Sequence, residues 1–207
     1  KKIIDHLKEK IEETDDPLIT AIKLAIVGNV IDFGTMNRFN VDDMIDHALE
    51  RKFDDRDYPL FKKELERSKT IMYLADNSGE IFFDRLLIEQ LKKRGKNITY
   101  VVKQNPIIND VLVEDANYSE IDKISNVITY DKDQNISTPG VVMEFASDEF
   151  KEKFEGSDMI ISKGQGNYEG LSSTYRRVFF LLVAKCPLVA NDIGSDVGKL
   201  ILKVNKW

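Results

Sequence analysis

Apolar residues recur at helical spacing from the start of the chain, in Ile3, Ile4, Leu7 and Ile11 and again in Leu18, Ile22, Ala25 and Ile26. Asp15 and Asp16 ahead of Pro17 supply a cap and a first-turn proline, so a second helix is predicted from there to about Asp32. Asn40 is a similar cap for Val41 to Lys52, which sets Val41, Met44, Ile45, Ala48 and Leu49 on one face. Pro59 opens a short helix to about Arg67. No strand pattern interrupts this first third, so residues 1–68 are expected to form a helical lobe.

After Ser68 the pattern changes to short apolar runs alternating with helical segments. Ile71 to Leu74 read as a strand buried on both sides, Ile81 to Arg94 as an amphipathic helix closed by Gly95, and Asn97 to Lys103 as the next strand. Helix is expected over Ile107 to Asn117 and Ser147 to Phe154, and strand over Asn126 to Tyr130, Asp158 to Ser162 and Val178 to Ala184. Strands separated by helices of this length imply right-handed β-α-β units in an open, doubly wound α/β sheet over residues 69–207. The stretch from Asp131 to Ala146 carries Ser137, Thr138, Pro139 and Gly140, matches neither pattern, and is expected to be a loop near the site.

Composition narrows the function classes. No apolar run approaches the ~18 residues of a membrane span, and 30 Lys and Arg against 36 Asp and Glu leave a net charge of −6 with no basic block to track a phosphate backbone. Neither membrane nor nucleic acid is expected as a partner. Cys186 is the sole cysteine, which excludes an internal disulfide and a cysteine zinc cluster and fits a cytoplasmic, reducing setting. The chain opens with Lys1, so a preceding segment is expected to have been trimmed.

Ligands of an open parallel sheet bind beyond the carboxyl ends of its strands. The first of these ends runs into Asp76, Asn77, Ser78, Gly79 and Glu80, which pair hard oxygen ligands with a glycine at a helix start, as a metal and a phosphate together require. A capped β-to-α turn is the plain structural reading of the same residues. The second end carries Pro106, Ile107, Ile108, Asn109 and Asp110, so the Asp110 carboxylate is placed to meet Asp76 and Asn77. A later one carries Lys163, Gly164, Gln165, Gly166 and Asn167, where a lysine and two permissive glycines suit a phosphate oxygen, or else form a glycine-rich connection with a solvated lysine. In the helical part, Asn29 and Asp32 share a face and are candidates to grip substrate hydroxyls, against a simple helix end at Gly34. His6 and His47 lack partners at ligand spacing, and Cys186 reads as a small buried hydrophobe.

In this order, Gly28-Asn29-Val30-Ile31-Asp32, Asp76-Asn77-Ser78-Gly79-Glu80, Pro106-Ile107-Ile108-Asn109-Asp110 and Lys163-Gly164-Gln165-Gly166-Asn167 resemble the DUF89, or ARMT1-like, family of metal-dependent damage-control phosphatases, in its archaeal-type branch. The resemblance runs from about residue 17 to the C-terminus. It implies a Rossmann-like, mostly parallel α/β domain with a helical lobe, and a divalent cation held by Asp76, Asn77 and Asp110. It also implies hydrolysis of phosphate monoesters of small, damaged or side-product metabolites, sugar phosphates included. Lys163 matches the family's lysine near the phosphate, and Glu80 the acidic residue that closes the first motif.

An all-oxygen ligand set favours Mg²⁺ or Mn²⁺, with Co²⁺ and Ni²⁺ also accommodated. On this reading Lys163, the amides of Ser78 to Glu80 and the glycine segment of Gly164, Gly166 and Asn167 face the phosphate, while Glu80 orients or acts as a base. Asp110 and Lys163, as residues at strand ends, are expected to be replaceable without unfolding. The rivals are an S-adenosylmethionine-dependent carboxyl methyltransferase, disfavoured by the single glycine of the first β-α turn, and a non-catalytic metal-dependent metabolite-binding module.

Overall fold

The computed structural model describes residues 2–28, 46, 50–133 and 137–205. Helix α1 (Lys2–Glu12) buries Leu7 and Ile11, and α2 (Pro17–Val27) begins where the Asp16 side chain accepts the amides of Leu18 and Ile19. There follow β1 (Phe53–Asp54), α3 (Tyr58–Arg67), β2 (Thr70–Leu74), α4 (Ile81–Lys93) and β3 (Asn97–Val102). The remaining elements are α5 (Val113–Tyr118), β4 (Asn126–Thr129), α6 (Asp148–Gly156), β5 (Met159–Lys163), α7 (Gln165–Leu171), β6 (Val178–Val183), α8 (Pro187–Ile193) and β7 (Leu200–Val204).

Among the described residues seven strands form one sheet in the order β1-β7-β6-β5-β2-β3-β4. Pairing is parallel from β6 across to β4, β7 runs antiparallel to β6, and β1 is parallel to β7. The period-2 alternation of the strands feeds two apolar clusters. Ile71 and Tyr73 of β2 face one that also holds Leu7, Leu18, Ile22 and Phe61, whereas Met72 and Leu74 face another with Phe150, Phe154 and Val189. The mostly parallel, doubly wound architecture expected from the sequence is therefore present. After β2 the chain winds through β3 to β4, then returns to place β5 on the other side of β2, so the strand order reverses at β2. A ligand site of this fold class is expected at that reversal.

Several elements differ from the sequence reading. Within the segment read as purely helical, Phe53 and Asp54 join the sheet edge, and α1 and α2 share their apolar cluster with the sheet strands. Helix is confined to Val113–Tyr118 in the segment expected to be helical from Ile107, because the preceding backbone is used elsewhere: Asp110 bridges Asn77 and Leu112 bridges Lys103. Ile108 takes a φ of 50°, which a helix excludes. The glycine-rich segment after Lys163 forms α7, and β7 and α8 complete the C-terminal part. The second helix beyond Gly28, the helix from Val41 apart from Asp46, Glu50 and the residues after it, and His47 lie outside the described residues.

The described part of the unpatterned stretch is tied down. Tyr130 Oη donates to the carbonyl of Val142 and accepts its amide, and Lys103 Nζ donates to the carbonyls of Thr138 at 2.8 Å and Gly140 at 2.6 Å. Gly140 is required there: with φ at +73°, a Cβ would lie 2.3 Å from the carbonyl oxygen of Gly166.

Candidate active site

Beyond β2 the backbone keeps pairing with the segment that follows β3. The Ser78 amide donates to the Asn109 carbonyl at 2.8 Å, the Val111 amide to the Asp76 carbonyl at 2.9 Å, and Asn77 and Asp110 face each other as an antiparallel bridge. Such partners stand about 4.5–5.5 Å apart at Cα. Asp76, Asn77 and Asp110 are thus brought together at the carboxyl edge, as their places after neighbouring strands led us to expect.

From the other side, β5 ends in Lys163 and turns at Gly164 with φ +80°. A Cβ on Gly164 would sit 2.1 Å from Asp76 Oδ2, so the Asp76 carboxylate occupies the space a side chain would need. The Asn77 amide nitrogen donates to Asp76 Oδ2 at 2.8 Å and to Glu80 Oε1 at 2.6 Å, fixing the three relative to one another. The Asn167 amide nitrogen reaches the carbonyls of Ala75 and Lys163 and ties the ends of β2 and β5 together.

The solvated lysine of the plain reading is excluded, and the Lys163 ammonium, read as a phosphate partner, is held by two carboxylates. It is 1% exposed, with Nζ 2.5 Å from Glu80 Oε2 and 2.7 Å from Asp84 Oδ1. The Ser78 and Glu80 amides, expected to face a phosphate, donate to the carbonyls of Asn109 and Asn77. Gly166 lies beneath Gly140, and Asn167 is buried. Asn29 and Asp32 lie outside the described residues, but Gly28 just before them packs on the start of α4, where a Cβ would approach Phe83 to 2.8 Å and Glu80 Cα to 3.3 Å.

Sequence reasoning passed over Asp84, Tyr73, Tyr100, Lys103 and Asp131. Asp84 carried a signal: it stands one turn after Glu80 on the stripe of α4 that also buries Leu87, Ile88 and Leu91, where a carboxylate is out of place. Lys103 ends an apolar run and is buried over the Tyr130 ring, 4.2 Å from its centroid. Asp131 accepts the Gln104 amide on Oδ2.

Burial dominates the electrostatics. It pushes the Asp76 carboxyl up to about 6, with Lys163 opposing and Asp110 adding to the rise. Glu80 is pushed up to about 7 by burial, again against Lys163. Asp110 is raised by burial and eased by Lys103, whose own ammonium burial holds below the usual lysine value. Burial would lower Lys163 too, but Asp84 and Glu80 outweigh it and keep its ammonium charged.

Carboxylates outnumber ammonium groups in this cluster, and the Asp110 charge raises the proton affinity of Asp76, so a cation fits. Among the described residues no three His, Cys, Asp or Glu side chains form a ready cage. An ion here would take Asp76, Asp110 and the amide oxygen of Asn77 and complete its shell from outside the protein, in the manner of Mg²⁺.

A family profile described as the damage-control phosphatase ARMT1-like domain matches residues 1–201. The chain belongs to this family. It is 38% identical to a protein of Archaeoglobus fulgidus named damage-control phosphatase, over 99% of this chain and 71% of that one. A damage-control phosphatase of Pyrococcus horikoshii is 39% identical over 100% of this chain and 71% of its own length, and an uncharacterized protein of Methanocaldococcus jannaschii is 41% identical over 96% and 67%. The crystal structure of a DUF89 family protein from Pyrococcus horikoshii superposes with a TM-score of 0.82 at 36% identity, covering 99% of this chain and 72% of that one. The resemblance read from the four motifs is borne out, as is the fold.

Proposed function

We propose that this damage-control phosphatase family member is a metal-dependent phosphatase that hydrolyses phosphate monoesters of small metabolites, damaged or side-product sugar phosphates among them. Relatives named as phosphatases support the reaction. The observation that carries the metal-dependent form is the pairing of the Asp76-Asn77 turn with the Asp110 turn, which converges two half-buried carboxylates and an amide with no imidazole or thiol.

Asp76, Asn77 and Asp110 would hold a Mn²⁺, Co²⁺, Ni²⁺ or Mg²⁺ ion. Such an ion supplies Lewis-acid stabilisation of the charge on a transferring phosphoryl group. Glu80 keeps the Asn77 amide turned so that its nitrogen is occupied and its oxygen is available. Lys163 contributes a fixed positive charge from beneath the site, and Gly164 leaves room for Asp76. Residues 1–68 are assigned the substrate side, with Asn29 and Asp32 as the candidates for substrate hydroxyls and Ser78, Gly79, Gly164, Gly166 and Asn167 framing the phosphate end. The partner is a small phosphorylated metabolite in a cytoplasmic setting. Among the described residues no helix is long and apolar enough to cross a membrane.

The test is turnover of p-nitrophenyl phosphate and a panel of sugar phosphates by metal-stripped protein resupplied with each ion. Activity is expected to vanish in EDTA and return with Mn²⁺, Co²⁺, Ni²⁺ or Mg²⁺. Full turnover in chelator, or none with any ion, contradicts the proposal.

A further inference from the structure

We infer that Asp84, clamped by Tyr73 and Tyr100, is a positioning residue that sets Lys163 and, through it, Glu80 and Asn77; the inference rests on the phosphatase reading above. Asp84 is fully buried on α4 among residues of the main apolar cluster. A carboxylate there is costly unless it is paired and hydrogen-bonded, and a leucine would serve packing better. Three donors converge on it. Lys163 Nζ and Tyr73 Oη reach Oδ1, both at 2.7 Å, and Tyr100 Oη reaches Oδ2 at 2.9 Å.

The two tyrosines are register partners on β2 and β3, and their rings stack at 5.5 Å, so both hydroxyls arrive on the same side of the sheet at the same level. Their phenols stay protonated, since burial first and the Asp84 charge next hold both far above the usual tyrosine value. They can therefore only donate to the carboxylate.

One carboxylate would serve the Lys163 ammonium as counter-ion, and the geometry supplies two. The second carboxylate does something else: it fixes the direction of Nζ. A lysine with one partner can swing about that contact, whereas one held by Glu80 just ahead of α4 and by Asp84 one turn later cannot. The bonds then run without a break from the sheet interior to the site, from Tyr73 and Tyr100 to Asp84, Lys163, Glu80 and Asn77. Preorganisation of this kind acts on the transition state, where small misplacements of a charged group are costly.

Because Asp84 acts through Lys163, its effect should disappear when the lysine is gone. The experiment compares wild type, Asp84→Asn, Lys163→Met and the double variant in kcat and KM for p-nitrophenyl phosphate at saturating Mn²⁺, and in melting temperature. Asp84→Asn should lower kcat by roughly 10- to 10²-fold with KM within about twofold, and should cost no further kcat in the Lys163→Met background. Melting should change sign: Asp84→Asn lowers the melting temperature of wild type and raises that of Lys163→Met, where the buried carboxylate has lost its cation. A wild-type kcat in Asp84→Asn, or losses that multiply in the double variant, overturns the inference. If Lys163→Met does not fold, Tyr100→Phe decides, with reduced kcat expected and an unchanged kcat contradicting. If wild type turns over nothing with any ion, the phosphatase reading falls instead, and the melting order alone decides whether Asp84 and Lys163 act as a pair.

Discussion

Lys163 shows how far a residue's place in the sequence understates its surroundings. At the end of a strand it reads as dispensable to the fold, yet it is the buried counter-ion of Glu80 and Asp84. Removing one partner of a buried ion pair costs about 3–5 kcal/mol. Lys163→Ala, expected from the sequence to stay folded, should therefore do so at a markedly lower melting temperature, whereas Asp110→Asn, at a half-buried position beside another carboxylate, should melt near wild type. Gly164 offers a sharper contrast. Gly164→Ala forces a Cβ into Asp76 and should abolish Mn²⁺ binding by calorimetry, while Gly95→Ala, at a similar φ of +73° with nothing within 4 Å, should bind Mn²⁺ as wild type does and lose only ~1–2 kcal/mol of stability. Equal Mn²⁺ affinity in the two variants would show that Asp76 does not depend on the space Gly164 leaves.

The strands and their joints repeat the lesson at greater length. At the end of β2 and β5 remote from the site, Asp158 Oδ2 accepts the amides of Lys69 and Thr70 and the Thr70 hydroxyl, and the Asp158 amide donates back to that hydroxyl oxygen. The Thr70 and Lys69 amides hold this carboxyl below the usual carboxylate range. A lowered folded-state value means stability that is present above the unfolded-state pKa of about 3.9 and lost as pH falls through the lower folded-state value. Asp158→Ala should thus melt below wild type at pH 7, and the gap should narrow as pH drops beneath about 4; a gap that is constant with pH would rule out the charge as its source.

The apolar runs that became β2, β3, β5 and β6 were legible because strands buried on both faces are nearly continuous in hydrophobicity. β1 escaped notice because two residues make no pattern, and the helix expected from Ile107 failed because Asp76 and Lys103 claim the backbone that would have closed it. Asp76, Asn77 and Asp110 could be grouped from strand order alone. The Tyr73, Tyr100 and Asp84 clamp could not, since it depends on which residue of β2 stands opposite which residue of β3.

Among the described residues, seven strands in one sheet gather Asp76, Asn77, Asp110 and Lys163 at the carboxyl edge where the winding reverses. β2 runs into Asp76 and Asn77, β3 is followed by Asp110, β5 ends in Lys163, and Glu80 just ahead of α4 and Asp84 within it hold the lysine. The apolar cluster shared by α1, α2, α4 and the sheet holds that edge in register, so the charges converge on a rigid frame. A groove of about 450 Å³ lined by Asp16, Lys62, Arg94 and Lys96 lies toward the start of β3 and holds none of these groups. On the proposed reading, Asp76 and Asp110 jointly hold the ion on which turnover depends. The deciding measurement is the Mn²⁺ dependence of p-nitrophenyl phosphate turnover in wild type and Asp110→Asn. With one of two converging carboxylates neutralised, half-saturation should move to at least roughly tenfold higher Mn²⁺ in a protein that melts like wild type. Identical half-saturation in the two proteins would contradict it.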